Sequence, residues 1–182
     1  MPTAPQAAQD SDCIFLWSIH MLATNIHFHH DVEAARAKGA VVWCIDAYRN
    51  KTADLADHFI AVRPGTDGAL ALGMMHVLDR DGLADEAFLD RNVLGWEDLK
   101  KNVLSKYTPE KTQGITGVPA DVIVELAHAY GRARAPFIRL GSGQSRYRNG
   151  AMTTRLITCL PAVVGAWGKQ GAGLLTSASA SD

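Results

Sequence analysis

The chain has 182 residues, of which 47% are hydrophobic and 20% charged, so it is not wholly disordered and fits a single globular domain. Its 18 lysines and arginines nearly balance 19 aspartates and glutamates, and this balance gives no attraction to nucleic acid or to an anionic membrane. Because neither a targeting segment nor an apolar run of the ~20 residues that a membrane span needs is visible, we expect a cytoplasmic protein without such a span.

Short apolar runs alternate with helical patterns along the chain. Each apolar run is typical of a strand buried on both faces. We predict strands at 13–17, 40–45, 58–62 and 136–140. We predict helices at 31–38, 52–57, 68–78, 85–92, 96–107, 119–134 and 150–167.

These elements predict one α/β domain over residues 12–176, with a helical insertion at about 84–118. Residues 1–11 are polar and alanine-rich and are expected to be disordered, and residues 177–182 form a Ser/Ala-rich tail that we expect to be flexible. Alternating strands and helices build βαβ units. The fold class is therefore α/β: a Rossmann-like parallel sheet of about four to five strands, with helices on both faces.

The carboxyl ends of the predicted strands should meet at one edge of the sheet, where ligands of open α/β sheets bind. Four polar or glycine-containing turns follow the strands, and we expect them to converge on one crevice. They are 17–18, the turn at Asp46, 63–67 and 141–144. This convergence predicts a nucleotide-like ligand.

Asp46, at the end of the second predicted strand, is a candidate acceptor for a ribose diol or for purine N–H groups. Its alternative is to cap the helix that starts near Thr52, or to pair with Arg49. Arg49 and Arg63 each offer a planar fork of donors that suits phosphate. Either arginine is equally consistent with a solvated surface position.

The segment Arg63-Pro64-Gly65-Thr66-Asp67 is more specific. Proline fixes one backbone angle, glycine permits close backbone approach, and Thr66 and Asp67 lie at a predicted helix start. The Asp67 carboxylate matches the two-donor N–H face of a guanine. The alternative is a helix cap with no ligand.

Several other kinds of site are excluded or disfavoured. Gly141-Ser142-Gly143 lacks the third glycine of a dinucleotide turn, and residues 17–32 contain no glycine, so an independent nicotinamide dehydrogenase is not expected. His27 and His30 have metal-ligand spacing but no partner beyond Asp31, so we predict no metal site. No nucleophile–base arrangement is visible, and we assign no catalytic residue.

Three cysteines, Cys13, Cys44 and Cys159, lie far apart in apolar runs. Without a CxxC pair, they exclude a cysteine-built zinc or iron–sulfur site. We predict three buried free thiols, because free cysteine behaves as a small hydrophobe.

Several motifs occur in an order and at a spacing that resemble a known family. The sequence after Ser11 resembles the molybdopterin oxidoreductases of the dimethyl sulfoxide reductase and formate dehydrogenase type. The most specific motif is RPGTDGAL at 63–70. The others are WSIH at 17–20, EAARAKGA at 33–40, IDAYRNKTA at 45–53, ADH at 56–58, YTPE at 107–110, ITGVPA at 115–120 and LPA at 160–162, followed by Gly165.

The resemblance implies an α/β domain that binds one of two molybdopterin guanine dinucleotides, the molybdenum cofactor of that family. It implies that Ser18 and His20 lie near the pyrophosphate and that Gln144 lies near the pterin. The guanosine end would be held by Asp46, Arg49, Asn50, Gly65, Thr66 and Asp67, with Arg63 in the same motif.

The chain also departs from the family pattern. Ser18 and His20 stand where the family usually has glycine and asparagine, and Asp46-Ala47-Tyr48-Arg49 replaces an Asp-Pro-Arg motif. The family's iron–sulfur cysteines and its protein ligand to molybdenum have no counterpart in these residues. The resemblance therefore implies a fragment or truncated homologue that binds the guanosine end of the cofactor, is inactive alone, and needs the remaining domains or subunits of an oxidoreductase. The alternative is a non-catalytic cofactor-binding or partner subunit that docks with separately encoded domains.

Overall fold

The computed structural model describes residues 4–176, and its centre is a five-stranded parallel sheet. The strands are β1 (Cys13–Trp17), β2 (Val41–Asp46), β3 (His58–Ala61), β4 (Pro136–Leu140) and β5 (Gly173–Thr176). Their order is β3-β2-β1-β4-β5, so the chain builds outward from β1 to β3 and then crosses to the other side of β1. The predicted Rossmann-like α/β class is confirmed, and the strand order reverses between β1 and β4.

Nine α-helices occur within residues 4–176, and side-chain caps fix several of their starts. Thr108 accepts a hydrogen bond from the Lys111 amide, with Pro109 in the first turn, and Asp85 accepts one from the Phe88 amide. The helices are α1 (Met21–Thr24), α2 (Ile26–Arg36), α3 (Lys51–Leu55), α4 (Asp67–Arg80), α5 (Glu86–Asn92), α6 (Trp96–Asn102), α7 (Pro109–Thr116), α8 (Ala120–Arg132) and α9 (Gly150–Val163). Short 3-10 helices cover Pro5–Asp10, Leu104–Lys106 and Gly143–Arg146.

Alternate residues of β1 enter two separate cores. Phe15 and Trp17 lie in the larger core with α4, α8 and α9, whereas Ile14 and Leu16 lie in the smaller core with α2. Every residue of β1 is buried, because this central strand is covered on both faces. Burial of each such side chain contributes about 1.5–3 kcal/mol. The two cores hold β1 and its carboxyl end in a fixed position.

The amino-terminal segment differs from the prediction that residues 1–11 are disordered. Pro5–Asp10 forms a 3-10 helix in which Ala8 is fully buried in the smaller core. The Lys38 ammonium donates to the Gln9 carbonyl and to Asp10, both at 2.9 Å. The prediction was based on the composition of this segment, which does not show its tertiary contacts. The predicted flexible tail, 177–182, lies outside the described residues.

The described residues bear on two further expectations. Between residues 4 and 176, no helix is long and apolar enough to cross a membrane. Cys13 and Cys44 are buried, and burial raises the thiol pKa of each to about 12. Cys159 is only half-buried, because its helix α9 has one side open to solvent.

Candidate functional site

A cavity of about 750 Å³ opens at the carboxyl edge of the sheet, and we call it the edge cavity. It lies over the ends of β1, β2, β4 and β5 and includes the point where the strand order reverses. Open parallel sheets bind their ligands at such reversals, because the two loops there diverge and leave a crevice. Its polar and glycine lining includes Ser18, His20, Asp46, Arg139, Gly141 and Gly143.

The turn after β1, at the edge cavity, is held by close backbone contacts to the ends of β4 and β2. The Gly141 amide donates to the Trp17 carbonyl and the Ser18 amide donates to the Ile45 carbonyl, both at 2.8 Å. Ser18 has φ +49°, a left-handed conformation that normally favours glycine. A Cβ on Gly141 would overlap the Ser18 carbonyl oxygen. The glycine at 141 is therefore required by strand packing.

The acidic end of the edge cavity is Asp46, which is half-buried at the end of β2. Its Oδ1 accepts from the Ala47 amide at 2.7 Å, and its Oδ2 accepts from Asn50 Nδ2 at 3.1 Å. Burial raises the pKa of the Asp46 carboxyl, and the nearby Asp67 carboxylate acts in the same direction. Asn50 also caps α3 by accepting from the Thr52 and Ala53 amides. Asn50 thus fixes the orientation of Asp46.

Two residues that line the edge cavity each have a nitrogen atom with no hydrogen-bond partner among the described residues. The atoms are His20 Nε2 and Arg139 Nε, and both atoms are buried. His20 was singled out from the sequence, but Arg139 was missed because it lies within the apolar run of β4. A charged residue in a strand predicted to be buried on both faces is the signal that points to it.

Asp67 lies at the same edge of the sheet as Asp46 but behind the edge cavity. Its side chain is only 3% exposed. Its Oδ1 accepts from Trp17 Nε1 at 2.9 Å and from the Ser18 hydroxyl at 3.2 Å. These contacts explain why an aspartate stands at the start of α4: it supports the turn after β1.

Arg63, Gly65 and Thr66 do not line the edge cavity. Arg63 Nη1 donates to the carbonyls of Gly114 and Ile115 at 3.2 and 2.6 Å, where α7 ends. The Thr66 hydroxyl donates to the Arg63 carbonyl at 2.7 Å. Gly65 and Thr66 border a separate, mainly apolar cavity of about 480 Å³ between α4 and α9.

The last two predicted residues differ in exposure. Arg49 is exposed, and its Nε donates to Asp54 at 2.8 Å. Gln144 is 3% exposed; its Nε2 donates to the Thr154 hydroxyl at 3.2 Å, and its buried Oε1 has no partner within the described part of the chain. Of the ten residues singled out from the sequence, the structure therefore brings three into the edge cavity: Ser18, His20 and Asp46.

No group of three or more His, Cys, Asp or Glu side chains within residues 4–176 is arranged to hold a metal ion. His29 and His30 lie near each other with ring centroids 6.2 Å apart, and both are on α2. The donors of the edge cavity are a carboxylate, an imidazole and a guanidinium. This set suits hydrogen bonding to an organic anion better than metal coordination.

The fold and the position of the edge cavity define a Rossmann-like α/β domain of the kind that binds ligands at a strand reversal. Residues 3–180 match the family model of the molybdopterin oxidoreductases. The chain belongs to that family, as the sequence motifs indicated.

Individual relatives agree with this assignment. The chain is 43% identical over 171 residues to the probable oxidoreductase YoaE of Bacillus subtilis, covering 94% of this chain and 25% of the relative. It is 31% identical to formate dehydrogenase H of Escherichia coli, covering 96% of this chain and 24% of the relative. Acetylene hydratase from Pelobacter acetylenicus has a similar structure, with a TM-score of 0.79 and 25% identity over 92% of this chain and 25% of that one. The chain thus spans about a quarter of the length of these relatives.

Proposed function

We propose that the edge cavity binds the nucleotide arm of a molybdopterin guanine dinucleotide, and that this chain supplies binding without catalysis. The observation that carries the proposal is the cavity itself. It has about 750 Å³ of space at the strand reversal, and its lining includes the half-buried Asp46 carboxylate on β2, Arg139 on β4 on the other side of β1, and His20. A ligand with hydroxyl or N–H donors at one end and anionic groups at the other complements that arrangement.

Each residue then has a role that its contacts suggest. Asp46 accepts hydrogen bonds from the guanosine, and Asn50 holds its carboxylate in place. Ser18 and His20 border the phosphates, where the β1 turn brings the backbone close to the ligand. Gln144, which lies outside the edge cavity, would lie near the pterin.

The remaining predicted residues support the site or border it. Asp67 acts through its hydrogen bonds to Trp17 and Ser18. Arg63, Gly65 and Thr66 shape the turn before α4 outside the edge cavity, and a guanine that extends beyond the cavity would reach them. Arg49 is exposed, so a ligand can replace Asp54 as its partner.

The molybdenum-bearing pterin supplies two-electron redox chemistry when it is bound in a complete oxidoreductase. The reaction itself is not set by this domain, since similar proteins are named a formate dehydrogenase and an acetylene hydratase. The part played by this chain is to bind and orient the nucleotide end. The residues that bind the substrate and the protein ligand to the metal would belong to other parts of such an enzyme.

We propose that the partners of this chain are the remaining domains or subunits of a molybdopterin oxidoreductase. The support is the coverage of the relatives, of which the chain matches about a quarter. The test is co-expression with the unmatched three quarters of a relative such as YoaE. A stable complex on size exclusion and sedimentation supports this assignment, whereas two separately migrating species contradict it.

Two measurements test the binding function. The chain is purified from cells that synthesise the cofactor, denatured, and assayed for fluorescent oxidised pterin, with the Asp46→Ala variant and the surface variant Asp90→Ala prepared in parallel. Isothermal titration calorimetry then compares guanosine with adenosine. Retained pterin and guanosine binding, both reduced in Asp46→Ala but not in Asp90→Ala, support the proposal. Absence of both from the native chain overturns it.

A further inference from the structure

Within residues 4–176, Arg139 is a buried cation that has no counter-ion. It is the fourth residue of β4, opposite Leu16 of β1, and is only 5% exposed. Nη1 donates to the carbonyls of Leu140 and Leu175 at 3.0 and 3.3 Å, and the guanidinium lies 5.7 Å from the Phe28 ring centroid. Across residues 4–176, no carboxylate lies within ion-pair distance of Arg139, and its Nε has no partner.

Such an arrangement is unfavourable unless something else compensates the charge. Buried charges in proteins are normally paired, because removing a guanidinium from water without a partner carries a large free-energy cost. Two carbonyl oxygens and one aromatic face offset only part of that cost. Burial lowers the pKa of Arg139, which is the direction expected of a cation that lacks an anion nearby.

Arg139 borders the edge cavity, so an anionic ligand in that cavity lies beside it. His20, whose Nε2 is also buried and unpartnered, borders the same cavity. Asp46 borders it too, but its strand is two positions away in the sheet, at about 10 Å from β4 on ordinary strand spacing. Asp46 therefore cannot neutralise Arg139 directly, and a ligand that reaches both ends must carry the anion itself.

We propose that Arg139 binds the phosphate groups of the nucleotide ligand in the edge cavity, with His20 as a second donor. This inference rests on the proposed function and adds a residue that neither the sequence motifs nor the comparisons assign. It also orients the ligand: the phosphates lie over β1 and β4, and the nucleoside extends toward β2. Arginine suits the task because its planar donors match two phosphate oxygens at once.

The test is calorimetry of the full chain with three probes, guanosine, GDP and inorganic pyrophosphate, in a buffer free of phosphate. Four proteins are compared: the native chain, Arg139→Lys, Arg139→Met and the surface control Arg91→Met. We expect Arg139→Met to bind GDP and pyrophosphate at least tenfold more weakly, while its guanosine affinity stays within twofold. Arg139→Lys should retain part of the GDP affinity, and Arg91→Met should behave like the native chain.

Stability separates this role from a purely structural one. If Arg139 serves a ligand, the ligand-free Arg139→Met variant should be as stable as the native chain or more so, because a buried uncompensated charge is gone. A large loss of stability with unchanged GDP affinity overturns the inference. The inference is also overturned if Arg139→Met binds GDP and pyrophosphate as tightly as the native chain does. It is likewise overturned if the native chain binds neither GDP nor pyrophosphate. Guanosine binding reports separately on the proposed function, so the two can fail independently.

Discussion

Trp17 Nε1 donates a 2.9 Å hydrogen bond to Asp67 Oδ1 in the interior of the protein. The bond joins the end of the central strand β1 to the start of α4, and the Ser18 hydroxyl donates to the same oxygen at 3.2 Å. One buried carboxylate oxygen therefore holds together the turn after β1 at the edge cavity. We infer from this contact that Asp67 supports the turn, and its role in guanine recognition stays a prediction.

We expect Asp67→Ala to lower the free energy of unfolding by about 1–3 kcal/mol, because it leaves the buried Trp17 indole N–H without an acceptor. Asp67→Asn retains the Oδ1 acceptor and should cost less. Urea denaturation of the three proteins measures the difference. If Asp67→Ala kept its stability but bound guanosine tenfold more weakly, Asp67 would instead contact the base directly.

Gly141→Ala should lower the free energy of unfolding by about 1–3 kcal/mol, because this is the typical cost of adding a methyl group where no space is available. The added methyl would overlap the Ser18 carbonyl oxygen, which belongs to the main chain and cannot move aside without disturbing β1. Gly114→Ala is the matched control. No atom lies within 4 Å of a Cβ at position 114 in α7, so alanine should stabilise that helix by up to about 1 kcal/mol. Equal thermal midpoints for the two variants would contradict this account of the β1–β4 contact.

Ser18→Gly tests the left-handed turn. Glycine removes the backbone strain of φ +49° but also the hydrogen bond to Asp67, and left-handed strain of ~1–2 kcal/mol outweighs or balances one such bond. We therefore expect equal or higher stability, and equal or tighter GDP binding. Ser18→Ala, which loses the bond and keeps the strain, should be the least stable of the three. A marked loss of GDP binding in Ser18→Gly would show that the hydroxyl contacts the ligand.

Guanosine binding should weaken in acid. Burial raises the pKa of the Asp46 carboxyl, so this group takes up a proton at a higher pH than an ordinary aspartate. The ionised form accepts hydrogen bonds from the ligand, and that capacity is lost as the pH falls through the raised pKa. Because the pKa of Asp46 is higher in the folded state than in the unfolded state, the folded state binds this proton more tightly. Protonation of Asp46 therefore increases the free energy of unfolding.

The measurement is guanosine affinity from about pH 7 to about pH 4, a range in which a shifted aspartate is sensitive. The native chain should lose affinity toward low pH. Asp46→Asn should bind more weakly at pH ~7 and show a flat profile. A native profile that matches Asp46→Asn would remove Asp46 from the binding site.

The sheet was predictable from the sequence because its inner strands are buried on both faces. The apolar runs 13–17 and 136–140 coincide with β1 and β4. The helices were placed well but their ends were not: α2 begins at Ile26, five residues before the predicted start, because His27, His29 and His30 obscure the apolar pattern. The strand β5 in the glycine-rich segment carries almost no strand signal of its own and depends on pairing with β4.

The candidate site was only partly predictable for a different reason. Sequence motifs locate turns at the carboxyl edge, and the edge cavity lies there. They do not tell whether a polar side chain faces the cavity or the interior. Asp67 points inward to Trp17, whereas Arg139, within an apolar strand, borders the cavity. That choice depends on three-dimensional packing between elements far apart in the chain.

The burial of Cys13 and Cys44 in the two adjacent strands β1 and β2 has a practical consequence. Their high pKa leaves almost no thiolate at neutral pH, and both residues are buried while the sheet is intact. Pulse alkylation measured by mass spectrometry on the peptides that contain Cys13 and Cys44, rather than the half-buried Cys159, therefore counts the molecules whose central sheet has opened. The protein carries its own unfolding reporter, without an introduced dye or a new mutation.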